Sequence, residues 1–211
     1  MVAQPPPPGL AADQPLPARG CGDNSGMRAT SSLPGLHSPA AGFDEPFEVL
    51  NACHERVRRS LGLLQRLVAH VARHGADVQA RDAARDVARY FNLAAPAHHE
   101  DEERHVLPLL RASADARLHE AAQRMLADHE RIRTTWLALE PALQALQRGE
   151  IAPELAEAAQ AFVQAHEGHL ELEDGLAFPG ARAQQEAAAD GAAQREAMGR
   201  EMAQRRGVKP A

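Results

Sequence analysis

The chain predicts an all-α fold: an up-down-up-down four-helix bundle with a disordered N-terminal tail and a short C-terminal helix. Three observations predict it. Apolar residues make up 44% of the 211, mostly Ala and Leu, and aromatics only 3%, which suits close-packed helices better than a sheet. Apolar positions recur in alternating three- and four-residue steps over four long stretches. The connections between those stretches are short, which favours antiparallel neighbours.

Residues 1–42 are rich in Pro, Gly and Ser and carry no apolar period; they are expected to be disordered. The bundle is expected over 43–180. The first helix has a seam of Phe47, Leu50, His54, Val57, Leu61, Leu64, Val68 and Val71, and His74-Gly75 ends it, Gly serving the left-handed cap position. The second starts near Gln79–Asp82, with Val87, Phe91, His98, Glu102, His105 and Leu109 on its seam. Pro96 is expected to kink or break it. The third starts after Ser113 or Asp115, either a possible N-cap. It runs through Leu118, Ala122, Met125, His129, Ile132, Trp136, Leu139, Leu143 and Leu146 to Gly149, with Pro141 as a possible bend. The fourth takes Pro153 in its first turn and Leu155, Ala159, Phe162, His166, His169, Glu173 and Leu176 on its seam, ending near Phe178-Pro179-Gly180. Residues 181–211 are expected to form one further short helix, with Met198 and Met202 on its apolar side.

Composition narrows the function classes. The formal net charge is -6, and the basic residues are Arg apart from Lys209 and interleaved with acid, so there is no basic stripe for a nucleic acid. No apolar run approaches the ~20 residues of a membrane span, and the N-terminus lacks the basic region and apolar core of a signal peptide. Cys21 and Cys53 are the only cysteines, too few for a disulfide framework. A cytoplasmic protein is expected.

The informative pattern is polar. His98-x-x-x-Glu102-Glu103-x-x-x-x-Pro108 returns as His169-x-x-x-Glu173-Asp174-x-x-x-x-Pro179. An echo precedes each: His54-Glu55-Arg56-Val57-Arg58 and His129-Glu130-Arg131-Ile132-Arg133. His and Glu four apart share one helix face. In an antiparallel pair, His54 near the start of helix one lies level with His98 and Glu102 near the end of helix two. His129 and His169–Glu173 match more loosely, so all six groups converge toward one end of the core. Buried imidazoles and carboxylates are costly unless paired or ligated. Four imidazoles and two carboxylates suit two carboxylate-bridged transition-metal ions in a bundle. A purely polar core network is the competing reading.

These residues carry a family resemblance. Cys53-His54-Glu55-Arg56, His98-His99-Glu100-Asp101-Glu102-Glu103 with Leu107-Pro108, Asp128-His129-Glu130-Arg131, and His169-Leu170-Glu171-Leu172-Glu173-Asp174 with Phe178-Pro179 resemble the hemerythrin-like, His-His-Glu cation-binding family over about 44–180. The resemblance implies a non-haem di-iron centre in a four-helix bundle, able to bind O₂ or a related small molecule. By that carry-over His54, His98, Glu102, His129, His169 and Glu173 are the ligands and the two glutamates bridge; manganese or zinc are the alternative metals. One departure stands out. Oxygen carriers of the family have a second His one turn from the helix-three ligand, whereas Met125 and Arg133 flank His129 here. The site is therefore expected to lack one ligand or recruit another, His166 first and His105 after it. His99, Glu103 and Asp174 each sit one residue from a ligand, about 100° round the helix, and are expected behind the ligands or at the surface. Glu55 and Glu130 are expected to pair with nearby Arg, and Cys53 to be a small buried residue.

The expected partner is a small ligand such as O₂ or nitric oxide, bound for sensing or redox handling. The alternative is a di-iron enzyme acting on peroxide or nitric oxide or mending damaged iron centres, and fold alone does not choose. A structural zinc site is disfavoured, because such sites usually take four ligands including Cys.

Overall fold

A computed structural model describes residues 42–208. The disorder expected of residues 1–42 falls outside that range except for Gly42, as does Cys21. Among the described residues every regular element is helical, and no helix is long and apolar enough to cross a membrane.

Helix α1 spans Pro46–His74 and stops at Gly75, whose φ of 73° puts it in the left-handed region that glycine enters without steric cost. Helix α2 spans Val78–Asp101 behind Asp77, whose side chain accepts from the Ala80 amide. It stays helical through Pro96, so the expected interruption is not a break. A π-helical turn, Glu102–Val106, joins α2 to α3, Leu107–Ala112. Helix α4 spans Ala116–Gln147 with Asp115 as its N-cap, and it too is continuous through its proline, Pro141. Helix α5 spans Leu155–Leu172, and a second π turn, Glu173–Ala177, leads into α6, Phe178–Ala187. Helix α7 spans Gly191–Arg205.

The fourth bundle helix thus continues past Phe178-Pro179-Gly180 to Ala187. Proline in a regular helix loses an amide donor and clashes with the carbonyl four residues back. Here the π turn absorbs that conflict. The Phe178 amide donates to Glu173 and the Leu107 amide to Glu102, each five residues back, and Pro179 and Pro108 follow in the first turn of a new segment. The Pro that trails each His-x-x-x-Glu motif marks a change of helix type rather than a helix end.

Helices α1, α2, α4 and α5 each pack on two neighbours in a ring. Two apolar clusters fill it. The larger runs from Val57 and Leu61 through Val87 and Phe91 to Leu143 and Phe162. The smaller gathers Phe47, Leu50, Val106, Leu107, Leu110, Met125, Phe178, Met198 and Met202, so α7 contributes core. Gly180 permits close approach of α6 to α4, since a Cβ there would meet Leu118 Cδ2 at 2.5 Å. Arg205 Nη2 and Arg206 Nη1 each stand 2.6 Å from an oxygen of Asp101, which is fully buried.

Candidate metal centre

Between the two apolar clusters lies a layer of buried charge. His54, Glu102 and Glu173 are fully buried, and His98, His129 and His169 nearly so. The structure thus brings together all six residues singled out as ligands. Glu102 points Oε1 at His98 Nε2 (3.1 Å) and His54 Nε2 (3.8 Å), and Oε2 at His129 Nε2 (3.5 Å). Glu173 points Oε2 at His54 Nε2 (3.1 Å) and His169 Nε2 (3.3 Å), and Oε1 at His129 Nε2 (3.7 Å). Each carboxylate therefore spans imidazoles on opposite sides of the bundle.

The backs of two imidazoles are held by carboxylates from the repeated motifs. His54 donates from Nδ1 to Asp174 at 2.6 Å, and His129 from Nδ1 to Glu103 at 2.8 Å. The acidic residue after each motif glutamate, expected behind a ligand or at the surface, orients the imidazole of a different helix. That bond fixes the tautomer and turns Nε2 inward.

Those inward atoms have no hydrogen-bond partner. Nε2 of His54 and His129, both ring nitrogens of His98 and His169, and all four oxygens of Glu102 and Glu173 are buried and unsatisfied. Buried polar atoms are normally paired, and so many orphans converging at one level fit a cation. Their electrostatics agree. Burial pushes His98 down to about 3 and His99 and His169 below the ordinary imidazole value, leaving these rings neutral and ready to donate a lone pair. Burial also opposes charge on His54 and His129, but the Glu102 and Glu173 carboxylates outweigh it and hold both at about 10. Burial works against the Glu102 carboxylate as well, and the surrounding imidazoles more than reverse that, keeping it well below the usual carboxylate range. A cation would take over this compensation and release protons from His54 and His129.

The donor atoms fall into two groups, each with atoms within 4.8 Å of one another: His54, His98, Glu102 and Glu173; and His99, Glu102, His129 and His169. Glu102 belongs to both. His99 is the residue the sequence reading placed behind the ligands or at the surface. The overlooked signal was its spacing: three residues before Glu102 is one helical turn, as is four. Its ring stacks on that of His129, with centroids 4.2 Å apart and planes at 14°.

The two suggested recruits lie elsewhere. His166 donates from Nδ1 to the Phe162 carbonyl at 2.9 Å and packs against the Phe91 and Phe162 rings; burial lowers it to about 4. His105 turns outward to Glu201 on α7, at 3.4 Å. Cys53 is buried, as expected. Glu55 pairs with Arg58 at 3.3 Å, and Glu130 pairs with Arg133.

A cavity of about 250 Å³ reaches the second group alone. His99, Glu100, Glu103, His129 and Arg133 form its polar wall, and Phe91, Ile132, Trp136 and Phe162 are among its apolar walls. Trp136 is anchored by its indole N–H, which donates to Asn92 at 2.9 Å.

Among known proteins, the chain is similar to an uncharacterized protein of Haemophilus influenzae (strain ATCC 51907 / DSM 11121 / KW20 / Rd). The two are 33% identical over 139 residues, 64% of this chain and 78% of the relative. Residues 45–181 match the hemerythrin HHE cation-binding domain, a span that takes in α1 to α5, both π turns and every residue of the two donor groups. The chain belongs to the hemerythrin HHE cation-binding domain family.

Proposed function

We infer that the chain holds two iron ions and presents one of them to a small ligand such as O₂ or nitric oxide, for sensing or redox handling. His54 and His98 would serve one ion, His99, His129 and His169 the other, and Glu102 and Glu173 both. Imidazole and carboxylate together suit iron, with manganese and zinc as alternatives. Bound iron would supply an electrophilic, redox-active centre able to take a small ligand.

One observation carries the ligand-binding reading: the cavity borders the His99–His129 group and not the His54–His98 group. Its aromatic and aliphatic walls suit a small, weakly polar molecule. His99 stands on the wall that a ligand would meet. Glu103 holds His129 in place from the same cavity, and its carboxylate can also accept a hydrogen bond from a protonated ligand. On the other side Phe178 stacks on His54 at 4.9 Å and covers that imidazole.

The test is metal analysis of protein purified without added metal, with optical spectra of the reduced form with nitric oxide and the oxidised form with azide. Two ions per chain and a new absorption band with either ligand are expected. One ion or none under iron-replete conditions overturns the dinuclear reading. Two ions with no ligand band overturns the ligand-binding reading alone.

A further inference from the structure

A second cavity, of about 320 Å³, lies on the other side of α2, between α1, α2 and the end of α7. It shares no lining residue with the first. Its walls carry five arginines against one carboxylate, Asp86, on a chain whose formal net charge is -6. Three of the five are matched: Arg205 and Arg206 by Asp101, and Arg89 by Asp86 at 3.4 Å. Arg59 uses its Nε on the Glu55 carbonyl at 3.4 Å, within its own helix turn. Arg56 is half-buried and makes no ion pair among the described residues. The unmatched positive charge therefore sits at the α1 wall.

The remaining wall is apolar and open. Leu63, Ala94 and Ala97 line it, and Leu93, 50% exposed, forms its lip. Tyr90 spans the two surfaces: its ring faces the cavity while its hydroxyl donates to the Cys53 carbonyl at 3.4 Å. Arg56 and Arg59 both line the cavity and stand three residues apart on α1, one helical turn, so the cationic side is the α1 wall. A cavity with a cationic side and an apolar body fits a ligand with the complementary division. Guanidinium takes an oxyanion through two parallel hydrogen bonds, and a preformed apolar cleft of this volume accommodates a short hydrocarbon chain.

We propose that this cavity binds a small amphipathic carboxylate, its head on Arg56 and Arg59 and its hydrocarbon body against Leu63, Tyr90 and Leu93. The site is independent of the metal centre. Its occupant would nonetheless touch Cys53 and Ala97, the chain neighbours of His54 and His98.

The test uses the full chain as purified, with radiolabelled octanoate and its neutral analogue octanamide in equilibrium dialysis. One saturable octanoate site per chain is expected, with a Kd on the order of 0.1 mM for a ligand this small. Octanamide should bind about tenfold more weakly or not at all. Arg56→Gln should bring octanoate to the octanamide level, while Arg111→Gln, an exposed change on α3, should leave it unchanged. Inorganic phosphate should not displace octanoate at matched ionic strength. Equal binding of the two probes overturns the charge recognition. Full displacement by phosphate overturns the role of the apolar wall. Octanoate binding that survives Arg56→Gln overturns the site, and binding abolished by azide overturns it by placing the carboxylate at the metal centre.

Discussion

The two halves of the metal centre come from the same motif and end in different surroundings. In both, a π turn begins at the motif glutamate, and the acid after it holds an imidazole on another helix: Asp174 with His54, Glu103 with His129. The residue after the motif histidine differs. It is His99 in the first half and Leu170, buried in the larger core, in the second. The ring stacked on the motif's partner imidazole differs too: Phe178 covers His54, while His99 covers His129. Arg58 pairs with Glu55 on its own helix and also reaches Asp174 in the second π turn, whereas its counterpart Arg133 pairs with Glu130 on its own helix. The repeat thus builds a symmetric frame of donors, and a few neighbouring residues decide which side is sealed and which faces a cavity.

The largest effect should come from a group common to both halves. Glu102→Ala removes the carboxylate shared by the two donor groups. Metal content is expected to fall from two ions to fewer than one per chain by metal analysis, and the buried imidazoles left behind should cost on the order of 3–5 kcal/mol of stability in denaturant unfolding. Unchanged metal content would break the shared frame.

His99→Ala sharpens the comparison next, since it makes the first half resemble the second at that position. It should leave one ion, in the His54 group, and abolish the azide band. Retention of two ions would return His99 to a supporting part and leave the second group with only two imidazoles.

Exchanging the orienting acids gives a smaller and side-specific effect. Asp174→Asn and Glu103→Gln should each weaken metal binding about 10- to 100-fold in chelator competition. Only Glu103→Gln should shift the azide spectrum, because Glu103 lines the cavity and Asp174 does not. The same spectral shift in both variants would show that the halves are not distinct.

The smallest change concerns access. Ile132→Trp should fill part of the cavity beside His129 and slow nitric-oxide binding about tenfold by stopped flow, with two ions retained. An unchanged rate would place the ligand's route elsewhere.

The bundle was legible in the sequence because its information is local and periodic. Seams such as Leu50–His54–Val57 and Phe162–His166–His169 place residues on one face whatever the helix packs against. The convergence of the six singled-out residues is legible for the same reason, and antiparallel register brings them level. His99 was passed over because a four-residue step was weighted above a three-residue one, although on a helix both return to the same face. The continuation beyond Pro179 was hidden because proline is a stop signal by local rules, and the π turn that relieves it depends on where Glu173 must point. The docking of α7 was hidden for a different reason. Asp101 and Arg205 are 104 residues apart, and nothing in the local pattern of Asp101 distinguishes a buried acid from a solvated one.

The two π turns also set the phase of the helices that contain them. Each inserts about one extra residue into a turn, so everything beyond it is rotated by roughly 100° relative to a continuous α-helix. Leu107 and Leu110, and Phe178 and Ala181, reach the smaller core only because of that rotation. Deleting one residue from a turn, Arg104 or Gly175, would restore regular winding and carry those side chains off the core together. The metal layer therefore sits at a dislocation between two helical registers, and the chain cannot heal that dislocation without giving up the packing of one end.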